Sequence, residues 1–233
     1  MKKSSILILI IICLVGCKKG SNETTITGEI KGLGTDTLYL YGMDELYDRI
    51  DTIYVENDKF SYTTSVDTIT SAYLLLKNRI EYPVFLDKGN KIKIKGDTIN
   101  LNFLTISGNI YNEEFTDFQK ALEDPADPSE KAGEETVDKR ITVEKANTAE
   151  EMAEEFILQH HSSYVSLYLL DKYFVQKETP DFSKIKKLVE VMTGVLQDKP
   201  YIERLNETIT QAEKSEIGKY APFFSLPNAK GEK

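Results

Sequence analysis

The chain has 233 residues, with 29 basic against 38 acidic side chains and a formal net charge of -9. So acidic a surface repels phosphate backbones, and no basic patch with interleaved aromatic residues offsets it, which excludes nucleic acid as a partner. A 40% hydrophobic composition over this length supports one large or two modest cores.

Lys2 and Lys3 precede an apolar run from Ile6 to Val15 that ends at Gly16-Cys17, the three-part layout of a secretory signal. The run is too short to span a bilayer. Leu14-Val15-Gly16-Cys17 resembles a bacterial lipobox. That resemblance implies removal of residues 1–16 and acylation of Cys17, with palmitate-type chains on the cysteine and its new amino terminus. Each buried methylene contributes about 0.8 kcal/mol, so several chains give stable attachment. The expected location is the cell envelope, lipid-anchored at the periplasmic face or the outer membrane. The processed chain keeps 27 basic and 38 acidic residues, a formal charge of -11. Cys13 leaves with the signal and Cys17 is blocked, so no free thiol and no disulfide is left and stability must come from burial. Residues 17–23 read as a polar, lipidated tether.

From 24 to 108, β-branched and aromatic runs recur every 8 to 12 positions between turn residues, predicting an antiparallel β domain of seven to nine strands, a sandwich or open barrel. The runs are Thr25–Ile30, Thr37–Tyr41, Arg49–Val55, Lys59–Thr63, Ala72–Lys77, Val84–Leu86, Lys91–Lys95 and Leu101–Ile106. Asn57-Asp58 predicts a tight turn. From 109 to 216 the period becomes helical. Phe115, Phe118 and Leu122 share one helix face. Pro125 and Pro128 then break the run, and residues 123–140 are charged enough to be loosely ordered. Helices are expected over Val137–Gln159, around Tyr164–Leu170, around Ile185–Met192 and over Tyr201–Lys214, the last with Leu205, Ile209 and Ala212 inward. The fold class is therefore α+β.

The order of parts resembles a family of anchored Gram-negative lipoproteins with an amino-terminal β domain of unknown function, a helical middle and a thioredoxin-like, TlpA/ResA-like domain. The resembling segments are Gly28 to Leu33, Ile50 to Phe60, Ile106 to Asn109, His160 to Leu170, and the ending Gly218-x-x-Ala221-Pro222-x-Phe224-x-Leu226. Asp58 departs from the glycine expected beside Asn57. The resemblance implies thiol:disulfide oxidoreductase activity in a full-length relative, carried by a Trp-Cys-x-x-Cys segment. Residues 217–233 are read as the start of a truncated domain of that kind, and nothing after Cys17 offers a thiolate. The chain is accordingly expected to be non-catalytic, without cofactor, giving membrane positioning and partner docking. The alternative is a stand-alone envelope lipoprotein that recognises a glycan, peptide or protein.

Other candidates carry less. Adjacent His160 and His161 point about 100° apart on a helix, and no third ligand has recognisable spacing, so a helix boundary capped by Ser162 or Ser163 explains them better than a metal. Glu134-Glu135, Glu150-Glu151 and Glu154-Glu155 read as a solvated helix face. Gly32-Leu33-Gly34 lacks the further glycine of a phosphate loop. Tyr39, Tyr41, Tyr54, Tyr62 and Tyr73 invite a glycan-stacking reading, although half-buried strand tyrosines are common. Asp36-Thr37-Leu38, Asp51-Thr52-Ile53, Asp67-Thr68-Ile69 and Asp97-Thr98-Ile99 resemble an O-glycosylation acceptor, making Thr37, Thr52, Thr68 and Thr98 candidate sites.

Overall fold

A computed structural model describes residues 22–123 and 148–214. The signal, Cys17, most of the tether, Glu134-Glu135, the stretch after Glu123 and the thioredoxin-like opening lie outside the described residues.

Among the described residues, eight strands form: β1 (Glu23–Lys31), β2 (Asp36–Gly42), β3 (Ile50–Val55), β4 (Lys59–Ser65), β5 (Thr70–Leu75), β6 (Glu81–Leu86), β7 (Lys91–Asp97) and β8 (Thr105–Ser107). They build two four-stranded sheets, ordered β4-β1-β7-β8 and β3-β2-β5-β6. Alternation turns Ile26, Ile30, Ile92, Ile94 and Ile106 of one sheet toward Leu38, Leu40, Ile53, Leu74 and Val84 of the other, all at most 1% exposed.

The pairing is antiparallel as expected except for β1 and β7, which run parallel from Thr25 opposite Lys91 to Lys31 opposite Asp97. Side chains alternate identically in both directions, so the local pattern does not encode this. The expected Leu101–Ile106 strand is shorter than read. A 3-10 turn over Thr98–Asn100, capped by Asp97, leads to Leu101 and Leu104, which are buried in the connection.

Asn57 and Asp58 form the expected turn, both with positive φ of 50° and 69°. Asp58 stands where glycine was expected because its carboxylate has a partner: Oδ1 accepts the Gly34 N–H at 2.6 Å. Its own N–H bonds the Gly34 carbonyl at 2.9 Å, tying this turn to the β1–β2 connection. Gly28 lies opposite Phe60, whose ring occupies the place where a Cβ on Gly28 would stand.

The helices are α1 (Ile110–Glu123), α2 (Ala149–Gln159), α3 (Tyr164–Leu170), α4 (Phe182–Val191) and α5 (Pro200–Lys214). The described part of the expected Val137–Gln159 helix starts at a capping box, in which Thr148 Oγ1 accepts the Glu151 N–H and the Glu151 carboxylate accepts the Thr148 N–H. All seven residues of α3 are buried. A π turn over Asp171–Val175 follows, closed by the Gln176 N–H on the Asp171 carbonyl at 2.9 Å. Asp171 is buried there and accepts bonds from Tyr201 Oη and Gln176 Nε2, both at 2.6 Å.

The helices cover only half of the second sheet's outward face. Phe85 on β6 packs against Tyr111 and Phe115 of α1, and Tyr73 on β5 packs against Tyr168 of α3. Helix α1 also seals two sheet edges with a polar stripe at i, i+4, i+7. Asn112 accepts the Phe85 N–H (3.0 Å) and donates to the Phe85 carbonyl (2.9 Å). Thr116 Oγ1 accepts the Ile106 N–H (3.0 Å) and donates to its carbonyl (2.9 Å). Gln119 donates to the Asn102 carbonyl and accepts from Tyr82 Oη. Asn112 and Thr116 thus act as ladder partners for β6 and β8.

Candidate functional site

The outward face of β2 and β3 is left uncovered. Register places Thr37 opposite Tyr54, Tyr39 opposite Thr52 and Tyr41 opposite Ile50. In the first two pairs rings alternate with threonine hydroxyls in a checkerboard, and the third sets a ring opposite an aliphatic group. Tyr54 is 74% exposed, Ile50 72% and Tyr39 41%. Tyr41 is steadier: its ring packs 5.7 Å from Tyr73, and its hydroxyl donates to Glu81. Burial first, then the Glu81 carboxylate, pushes the Tyr41 hydroxyl well above the ordinary phenol range, so it stays a donor at neutral pH.

Of the five tyrosines considered for stacking, Tyr62 and Tyr73 do not belong to this face. Tyr62 pairs with inward Ile26, and Tyr73 is half-buried under Tyr168. Of the four candidate acceptor threonines, Thr37 and Thr52 meet on the face, Thr68 is exposed in the β4–β5 connection, and Thr98 opens the 3-10 turn near Gly32. Ile50 was missed by the sequence reading. Its signal is that Ile50-Asp51-Thr52-Ile53-Tyr54-Val55 carries apolar residues at both parities, so one set must face outward.

Behind the face, at the end where β3 begins and β4 finishes, a polar cluster joins the two sheets. Tyr47 Oη donates to Asp51, Arg49 Nε donates to Asp51 at 3.1 Å, and Arg49 also bonds Thr64 and the Ser65 carbonyl. The Arg49 guanidinium lies 4.5 Å over the Tyr47 ring. Burial raises the Asp51 carboxyl, but bonds from Tyr47, Tyr62 and Arg49 outweigh it and hold the group below its usual range. Tyr47 is pushed up to about 12, chiefly by burial and then by Asp51.

A second candidate is a cleft of about 370 Å³ between α1 and the α2–α3 connection, lined by Ile110, Glu114, His160, His161 and Ser163 among others. Ser163 caps α3 by accepting the Val165 N–H at 3.2 Å, and its hydroxyl donates to Glu114 at 2.5 Å. His160 stacks on Phe156 at 4.1 Å, with Nδ1 3.7 Å from Glu114. The serine thus serves a carboxylate and a helix end rather than an imidazole, so no serine–histidine pair is assembled in this cleft. Among the described residues, no group of three His, Cys, Asp or Glu could hold a metal ion. The glutamates of α2 are less solvated than expected: Glu150 pairs with Lys177 and Lys184, and Glu154 with Lys184. No helix among the described residues is long and apolar enough to cross a membrane.

No curated protein and no solved structure matches the chain. Residues 24–115 match a family described as a domain of unknown function (DUF4369), a stretch that runs from β1 to Phe115 in α1.

Proposed function

We propose that this chain is the non-catalytic, membrane-anchored part of a thiol:disulfide oxidoreductase-like lipoprotein, holding a partner against the envelope at the outward face of β2 and β3. The observation that carries the docking role is the exposure of Tyr39, Ile50 and Tyr54 together on one flat surface, while the helices cover the other half of the same sheet. The lipobox-like Leu14–Cys17 supports anchoring, and the Gly218–Leu226 motif supports the link to thioredoxin-like lipoproteins. Tethering and contact are then the contribution of residues 18–233, which contain no sulfur nucleophile.

A photocrosslinking amino acid at Tyr54 in the cell tests docking, with Lys93 on the opposite sheet as control. A discrete adduct from position 54 and none from 93 is the expected result; equal labelling from both overturns it. Loss of membrane retention in Cys17→Ala is the matching expectation for the anchor.

The checkerboard of Tyr39 and Tyr54 with Thr37 and Thr52 favours a second reading, a stand-alone lipoprotein that recognises a glycan by stacking and hydroxyl bonding. Uniform non-binding on a polysaccharide array removes it. O-linked modification at Thr37, Thr52, Thr68 and Thr98 is part of the proposal, and an intact mass equal to the unmodified lipoprotein refutes it.

A further inference from the structure

The two sheets have four edges, and their treatment differs. On β6, Pro83 has no N–H and Asn112 occupies both polar groups of Phe85; on β8, Thr116 occupies both polar groups of Ile106. On β4, the outward-facing residues Lys59, Ser61, Thr63 and Ser65 are polar, and Arg49 reaches the Ser65 carbonyl at its end. The β3 edge has none of these protections. It has no Pro, Lys or bulge. Among the described residues, its backbone is bonded only through the β2 ladder, so alternate N–H and C=O groups point outward unpaired. Two of its exposed side chains, Ile50 and Tyr54, present mainly apolar surface. A natural sheet seldom leaves such an edge bare, because it templates another strand.

We infer that the β3 edge receives an extended segment of another protein as a fifth strand of the β3-β2-β5-β6 sheet, and that this segment is basic. The inference rests on the docking reading above and specifies its mode and partner chemistry. Exposed Asp48 and Glu56 flank the strand at its two ends, and neither makes an ion pair among the described residues. An incoming strand with Lys or Arg at each end meets a carboxylate at each end, while apolar residues at alternate positions cover Ile50 and Tyr54. Charge argues against a second copy of this chain. Antiparallel pairing about Thr52 would set Ile50 against Tyr54 favourably, but it would bring Asp48 opposite Glu56 between two acidic molecules.

The test uses the full chain in detergent and two synthetic probes of about nine residues, alternating valine and threonine, one flanked by lysines and one by glutamates. Anisotropy reads binding, and amide hydrogen exchange reads β3. The lysine probe should bind and slow exchange within Ile50–Val55 by about tenfold or more, whereas the glutamate probe should bind at least about tenfold more weakly. Ile50→Lys combined with Tyr54→Lys should abolish lysine-probe binding with the far-ultraviolet spectrum unchanged. Equal binding of both probes, or binding without slowed exchange in β3, overturns strand addition. If that binding also falls in Tyr39→Ser, the docking face survives and only the edge mode is lost. Slowed β3 exchange that appears on concentrating the chain without any probe assigns the edge to a second copy and also overturns the proposal.

Discussion

Asn112 shows how one polar side chain can decide a fold. Its amide satisfies both the N–H and the carbonyl of Phe85 from a position 1% exposed. Removing it strands the buried Phe85 N–H, while Asn109 Nδ2 still donates to the Phe85 carbonyl at 2.8 Å, so Asn112→Ala should cost about 1–3 kcal/mol. Thr116→Val keeps the volume but loses both bonds to Ile106 and should cost about 1–3 kcal/mol. Urea unfolding reads both; a shift in midpoint with unchanged slope is the expected form. Asp51 sets an acid limit of a different kind. Its folded carboxyl lies below its unfolded value of about 3.9, so its contribution is complete above that value and is lost as pH falls through the folded one. The stability gap between the native chain and Asp51→Asn should therefore be constant from neutral pH down to about pH 5 and close in stronger acid. A gap that does not change with pH would show that the cluster holds Asp51 by shape alone.

At the scale of elements, the sequence is most legible where one face of a strand or helix meets one core. The Ile92 and Ile94 alternation of β7, the Leu205 and Ile209 spacing of α5, and the Asn57-Asp58 turn are all readable because each signal is local. What escaped reading depends on distant partners. The parallel β1–β7 pair is invisible to alternation. The Asn112, Thr116, Gln119 stripe resembles an ordinary solvated helix face until the β6 and β8 edges are set beside it. The exposed face of β2 and β3 was half legible: its tyrosines stood out, but which of them the helices would cover was not encoded near them. The Ile106-Ser107-Gly108-Asn109 segment shows why a short motif can still be informative. Gly108 has φ +114°, and a Cβ there would stand 2.3 Å from the Lys91 carbonyl oxygen, while Asn109 Oδ1 accepts the Asn112 N–H to start α1. Gly108→Ala should therefore cost about 2 kcal/mol or more and loosen β8 first, seen as faster amide exchange at Thr105–Ser107.

For the whole molecule, the question is which contacts would couple unfolding of the β unit to that of the helices. Two kinds of contact cross between them. At the surface, Arg204 of α5 pairs with Glu45, and both side chains are well exposed. In the interior, Tyr168 stands edge-on to Phe115 at 5.2 Å and to Tyr73 at 6.2 Å, joining α3, α1 and β5 at one ring that is 4% exposed. Exposed ion pairs lose to solvent screening and side-chain entropy, whereas a buried aromatic keeps its packing. Tyr168→Ala should therefore cost about 3–5 kcal/mol, and Arg204→Ala should leave the unfolding midpoint unchanged. Calorimetry separates the two accounts further. If Tyr168 couples the units, its loss should split the single transition into two, because β1 to β8 with α1 keep their own core of Ile26, Leu40, Val84 and Ile94 while α3 to α5 lose their seat on the sheet. One transition, merely lowered in temperature, would mean that the remaining interface still couples them, and the contact of Tyr111 on α1 with Tyr164 on α3 would then be the place to cut next.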